Sequence, residues 1–365
     1  MTHLTWSEEI GKRVRSGTWP DQAISTVQKI EEALHEGRSE IAAELVDYFM
    51  EEAKVCYAIY ALWFRGFVDW LDQQGVPSAE HDAERARLAQ LMAFPDGEPF
   101  EPTSHWKALG ERAGRLGNLI RGGDIAVADA THELDGLRED WRKLHDRYVD
   151  MISGVLTYVA RRFGEARLED CYRFVLEPYI QERYMPFDVR VRDYEDTLFR
   201  NVYLSFEAMR GHLCGPGRRG DIEFEEHDDR WVLRFDPCGS GGRTLRGDPV
   251  EGTGSRAESP YNFGVTQGKH DWAWNEKGVC YYCAHCCLAL ERLPAERWGH
   301  PVRVVDSPLY PTETSGPNPK KCQWTIYKSL EAIPPEAYER IGLTKPRPPD
   351  AANTTTEDLP SDCGG

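Results

Sequence analysis

RGHLCGPGRRGDIEFEEHDDRWVLRF, residues 210–235, is where the chain changes its period. Upstream of Gly215-Pro216-Gly217, apolar residues recur every three or four positions, as on the buried face of a helix. Downstream, Ile222 and Phe224, then Trp231, Leu233 and Phe235, alternate with polar residues around His227-Asp228-Asp229-Arg230. That is the pattern of an antiparallel hairpin with a four-residue turn. The fold class expected is α+β. An N-terminal antiparallel helical bundle takes residues 1–213, and a small α+β domain at 218–332 carries an antiparallel sheet and a cysteine-rich metal site.

Working back from the break, residues 21–187 read as helical, with Asp21 as the first N-cap. A long helix at 39–74 places Leu45, Phe49, Ala53, Cys56, Tyr60, Phe64, Phe67 and Leu71 on one stripe. The lead-in Gly37-Arg-Ser-Glu-Ile-Ala-Ala-Glu resembles Gly122-Gly-Asp-Ile-Ala-Val-Ala-Asp ahead of a second long helix at 124–163, which suggests a duplicated helical hairpin. Residues 1–18 read as a poorly ordered start, and 188–213 as one more helix. Working forward, 238–262 reads as a polar, Gly-rich loop, 283–292 as a short helix, and 302–305 and 323–327 as strands. The Pro-, Thr- and Asp-rich tail at 344–365, with Cys363, is expected to be disordered.

The formal net charge of −17 argues against nucleic acid as a partner, because phosphate backbones repel so acidic a surface. The most apolar run, 55–71, is short and contains Arg65 and Asp69, so no membrane span is expected. The opening MTHLTWSEEIGKRVRSG lacks the apolar core of a signal peptide, which points to the cytoplasm. In that reducing setting, clustered cysteines are read as metal ligands or reactive thiols rather than disulfides.

Four of the ten cysteines, Cys280, Cys283, Cys286 and Cys287, crowd into GVCYYCAHCCLAL with His285 among them. Two C-x2-C steps in succession suit zinc or an iron–sulfur cluster, which need thiolates at short fixed distances. Helical spacing would put Cys283, Cys286 and Cys287 on one face. Cys238 after one strand and Cys322 at the start of another complete the expected ligand set. The cofactor expected is Zn2+, with a [4Fe-4S] cluster as the alternative. Cys56 and Cys171 sit in helical stripes and read as core.

The order Asp236-Pro237-Cys238 with Arg243, then Cys280 and Cys283, then Cys322-Gln323-Trp324 resembles the L-2-amino-thiazoline-4-carboxylic acid hydrolase-like family over about residues 205–330. The Cys286-Cys287 pair and the cysteine-free stretch 255–268 depart from that family's pattern. The resemblance implies a small-molecule hydrolase opening a heterocyclic C–N or C–S bond.

Such a reaction needs a base and something to hold the substrate. The candidates are His285, His270 and Glu276 for catalysis, and Arg243, Arg303 and Trp272 for a small, carboxylated substrate. The reading is therefore a metal-dependent hydrolase or lyase acting on a small molecule, with the bundle as scaffold or homo-oligomer surface. The alternatives are an iron–sulfur electron-transfer protein and a non-catalytic protein stapled by zinc.

Overall fold

A computed structural model describes residues 2–94, 97–248 and 250–346. The chain opens with a hairpin, β1 (Leu4–Ser7) and β2 (Lys12–Arg15), where a poorly ordered start was expected. Arg15 ties it down. Its backbone N–H donates to Tyr203 Oη at 2.8 Å, and its guanidinium donates to Ile24 O, Asp21 O and Thr26 Oγ1.

Two short helices follow, α1 (Trp19–Ala23) and α2 (Thr26–His35). Asp21 lies inside α1, its carboxylate taken by the Thr18 N–H and hydroxyl, so it does not cap the longer helix. Ser25 does, accepting the Gln28 N–H at 3.2 Å. The bundle is built on α3 (Ser39–Gln73) and α6 (Val127–Phe163). Around them lie α4 (Ser78–Leu91), α5 (Pro102–Gly122), α7 (Arg167–Tyr184) and α8 (Leu198–Gly211). The helix expected from residue 188 begins ten residues later. The Asp188 carboxylate is bonded to the Arg190 N–H and guanidinium, and Tyr194 donates its hydroxyl to Tyr327 O, which holds this stretch out of a helix.

The four-stranded sheet contains β3 (Glu223–Glu226), β4 (Arg230–Phe235), β5 (Val304–Asp306) and β6 (Cys322–Tyr327). All pairings are antiparallel, in the order β3-β4-β6-β5. Phe235 pairs with Cys322 across the ladder, so the turn after β4 brings Cys238 to the same end of the sheet. The Gly-rich stretch expected as a loop contains α9 (Gly241–Arg246), most of which is buried. The cysteine segment forms a single turn, α10 (Ala284–Cys286), then one wide π-turn at Cys287–Arg292, then α11 (Leu293–Trp298). A short α12 (Pro335–Glu339) follows the sheet.

One hydrophobic core runs from Ala23 through the bundle to Ile341, so the units expected at 1–213 and 218–332 share their packing. Tyr172 of α7 donates to Tyr281 O at 2.7 Å, and Asn201 of α8 donates to Val302 O at 2.7 Å, fixing the helices against the cysteine segment and the sheet. Mixed helix and antiparallel sheet agree with the α+β expectation. Among the described residues no helix is long and apolar enough to cross a membrane. Residues 347–365, and so Cys363 and most of the expected tail, lie outside the described residues.

Candidate active site: a thiol-lined cavity between bundle and sheet

Helices α3, α7 and α8 on one side, and α9, the cysteine segment, β5 and β6 on the other, enclose a cavity. It offers about 60 Å³ to the centres of water-sized molecules, room for a small ligand rather than a polymer. Cys238, Cys283, Cys286 and Cys322 all line it. Three distant parts of the chain thus deliver sulfur to one space.

The thiols do not act alike. Cys238 is lowered to about 6, first by a hydrogen bond from the Cys322 thiol. Burial opposes this, while the Gly242 N–H, donating to the sulfur at 2.9 Å, and Ser240 assist. Cys322, as the donor, is pushed up. The glycines of α9 make the approach feasible. A Cβ on Gly241 would lie 2.2 Å from Cys283 Sγ, and one on Gly242 3.2 Å from Cys238 Sγ. Gly239, at φ 76°, would bring a Cβ within 1.9 Å of His212 O.

Two of the six expected ligands stand off the wall. Cys280 forms a β-bridge with Val265, and its thiol pairs with that of Cys283, which lowers Cys280 and raises Cys283. The Cys287 sulfur turns away, accepting the Trp274 N–H at 3.3 Å and donating to Asp271 O at 3.4 Å. The reason is local. The N–H groups of His285, Cys286 and Cys287 each bond the carbonyl three residues back, so the segment is wound more tightly than an α-helix and Cys287 does not fall in line with Cys283. Among the described residues no group of three or more His, Cys, Asp or Glu side chains is arranged to hold a metal ion. The donor chemistry suits a soft ion, but holding one requires side chains to turn.

Two imidazoles reach the cavity, His285 and His212. His285 donates Nδ1–H to Tyr282 O at 2.6 Å, which leaves Nε2 to accept from the Cys286 thiol at 3.3 Å. Burial lowers His285 to about 4. His212, at the end of α8, is lowered well below the usual imidazole range by burial and then by His145. It was not singled out in the sequence, and neither was Tyr60, which reads there as one more stripe residue; nothing in the spacing marks either.

The cavity also holds two guanidinium groups, those of Arg303 and Arg183. Arg303 donates Nε–H to Asn201 Oδ1 at 2.8 Å and lies 5.1 Å from the Trp324 ring centre. Among the described residues neither arginine has a carboxylate within ion-pair distance. Three buried polar atoms on the wall, Trp63 Nε1, Arg183 Nε and Ser307 Oγ, have no hydrogen-bond partner in the protein. All three can donate.

The remaining candidates lie elsewhere. His270 Nε2 meets Glu165 Oε1 at 2.6 Å, and Trp272 stacks on the His270 ring at 4.8 Å, so both belong to a cluster gathered by Glu165 beyond the end of α6. Glu276 is exposed and held through its backbone, its N–H donating to Ala273 O and its carbonyl accepting from Thr266. Arg243 is buried in ion pairs with Asp150 and Asp146 and does not line the cavity. Cys56 and Cys171 are buried, with Cys56 on the cavity wall. Comparison with family models, with curated proteins and with solved structures returned no match for this chain.

Proposed function

We propose that the protein is a hydrolase or lyase that opens a C–N or C–S bond of a small carboxylated molecule inside this cavity, with Cys238 as its reactive group. The observation that carries the reading is a thiol lowered to about 6 on the wall of an enclosed space where three buried polar atoms without a partner, on Trp63, Arg183 and Ser307, can all donate. At neutral pH Cys238 is a thiolate, the form of cysteine that attacks carbon. Arg183, Arg303, Trp63 and Ser307 supply hydrogen bonds and positive charge for a carboxylate. In hydrolysis, the sulfur adds to the electron-poor carbon and the C–N or C–S bond breaks. The departing nitrogen or sulfur takes up a proton as its bond breaks, and water then releases the carbon from sulfur and gives a proton back, so one water is consumed and the thiolate is restored.

Alkylation with peptide mapping tests this. Cys238 should react first among the ten cysteines, with half-maximal rate near pH 6. Anionic iodoacetate should gain on neutral iodoacetamide relative to a free thiol in solution, and Arg183→Gln should remove that gain. A Cys238 no faster than buried Cys171 would sink the reading.

A second reading is favoured by the four thiols sharing one wall. In it Cys238, Cys283, Cys286 and Cys322 turn inward to hold zinc, or an iron–sulfur cluster, and the site is metal-dependent or electron-transferring. Elemental analysis and an absorption spectrum of anaerobically purified protein decide it. Colourless, metal-free protein that alkylates fully at Cys238 excludes it.

A further inference from the structure

Behind the cavity wall a chain of polar side chains leads away from His212, in a part of the bundle where every neighbour is packed. His212 Nδ1 lies 2.9 Å from His145 Nε2, and His145 Nδ1 lies 2.9 Å from Asp146 Oδ1. Tyr60 Oη lies 2.9 Å from His212 Nδ1 and 3.1 Å from His145 Nε2, and it accepts the Tyr282 hydroxyl at 3.1 Å. His145 and Asp146 are 0% and 2% exposed, so water does not complete these contacts. We propose that this chain fixes His212 in the tautomer protonated at Nδ1, and so makes Nε2 of His212 the proton acceptor that faces the cavity.

Donors and acceptors along the chain must match one for one. Asp146 accepts from Arg218 and Arg142, which keeps it ionised, so it can only accept. His145 must then carry its proton on Nδ1, and its Nε2 presents a lone pair. That lone pair faces His212 Nδ1 and the single Tyr60 hydroxyl proton. If Tyr60 donates to His212, two bare nitrogens oppose each other at 2.9 Å and His145 Nε2 has no donor. If His212 Nδ1 carries the proton, it donates to His145 Nε2 and Tyr60 Oη, and the Tyr60 hydroxyl donates to His145 Nε2, so every contact has one donor and one acceptor. The charged and titratable groups around His212 are Tyr60 on α3, His145 on α6, Arg183 on α7, Arg218 after α8, and His285 on α10. None of them supplies a carboxylate that would invert this assignment.

The inference rests on the proposed function for the use of Nε2, which would take up and return the proton of the attacking water. His145 and Asp146 are then positioning residues, since they act only through His212. The tautomer itself is independent of any substrate. Long-range proton–nitrogen NMR correlations on histidine-labelled protein read it directly. The expected spectrum shows His212 protonated at Nδ1 and not at Nε2. His145→Phe, which removes the acceptor, should shift His212 towards the Nε2-protonated form. His145→Gln, whose side-chain oxygen can accept in the same place, should restore the original form, and Tyr60→Phe should leave it unchanged. An Nε2-protonated His212 in the unaltered protein overturns the proposal, whatever the variants do. So does a tautomer indifferent to His145→Phe in folded protein. Alkylation of Cys238 is scored separately, so failure of the thiolate reading and failure of the relay are distinguishable.

Discussion

Two groups of arginines, one packed between α6 and α9 and one against the cavity, are treated in opposite ways. Arg142, Arg218, Arg243 and Arg256 lie between α6 and the stretch from α9 onward, and each is matched by Asp146, Asp150 or Asp248. Arg218, with no exposed surface, donates to both Asp146 and Asp248 and also to Leu213 O and Gly239 O. Arg183 and Arg303 lie across the same core, against the cavity, and lean on Tyr179 and Trp324 with no carboxylate partner. Removing a charge from water is costly unless a counter-charge meets it. The first set has that cost offset within the fold, so it is architecture. The second leaves it open towards a cavity, which is the arrangement expected of groups that meet their counter-charge on a ligand.

The sharpest way to break this comparison is to remove a partner from each set. Asp146→Ala takes a shared acceptor from Arg218, Arg142 and the His145 ring, leaving the buried arginine cluster one carboxylate short with Asp248 still in place, and an uncompensated buried charge costs about 3–5 kcal/mol. Urea unfolding should show a loss in that range. Arg183→Met removes a cation that has no partner to strand, so it should be neutral or mildly stabilising while abolishing any preference for anionic reagents at Cys238. Equal losses in the two variants would erase the distinction.

A smaller effect tests how closely α9 must approach the thiols. In Gly241→Ala the new methyl would lie 2.2 Å from Cys283 Sγ, inside any van der Waals contact. Overpacking of this kind costs about 1–3 kcal/mol. The loss should be accompanied by slower alkylation of Cys238 as α9 shifts, whereas Gly110→Ala, on an open helix surface, should stabilise by about 0.5–1 kcal/mol and leave the alkylation rate unchanged.

Much of this was legible in the sequence, and the boundary is physical. Periodicity exposed the helices and the hairpin, because a 3.6-residue stripe and a two-residue alternation are local signals. It also brought Cys238 and Cys322 to the cysteine segment, since strand ends and C-x2-C steps constrain where sulfur can go. What was hidden depends on contacts between distant residues. Arg243 looks like a substrate anchor until Asp150 is seen beside it, and His212 looks ordinary until His145 and Tyr60 are seen behind it. Cys287 turns from the cavity because the winding between Cys283 and Cys287 tightens to bonds three residues apart, and no residue in CAHCC signals that.

The imidazoles give a gentler test of the same contrast. His145, His212 and His285 are held neutral, chiefly by burial. The unfolded chain binds protons more readily at these sites, so their contribution is complete above about pH 6.5 and is lost as pH falls towards about 4. Each imbalance is worth at most about 1.4 kcal/mol per pH unit. Thermal midpoints should fall steadily over that window, and His285→Gln should flatten part of the slope. A midpoint constant from pH 7 to 4.5 would mean the cavity is wet enough to solvate the imidazolium.

The least sensitive probe lies at the surface. Arg173 of α7 makes two hydrogen bonds of 2.7 Å to Glu296 of α11, a better geometry on paper than many of the buried pairs. Its side chain keeps 34% of its surface in water, and that decides the matter. Solvent already stabilises both ions, and ordering two long side chains offsets most of what attraction remains. Arg173→Ala should therefore cost about 0–1 kcal/mol, and less in high salt. A loss as large as that of Asp146→Ala would show that burial does not separate the two kinds of pair, and with it the reason for treating the unpaired cavity arginines as a site would go.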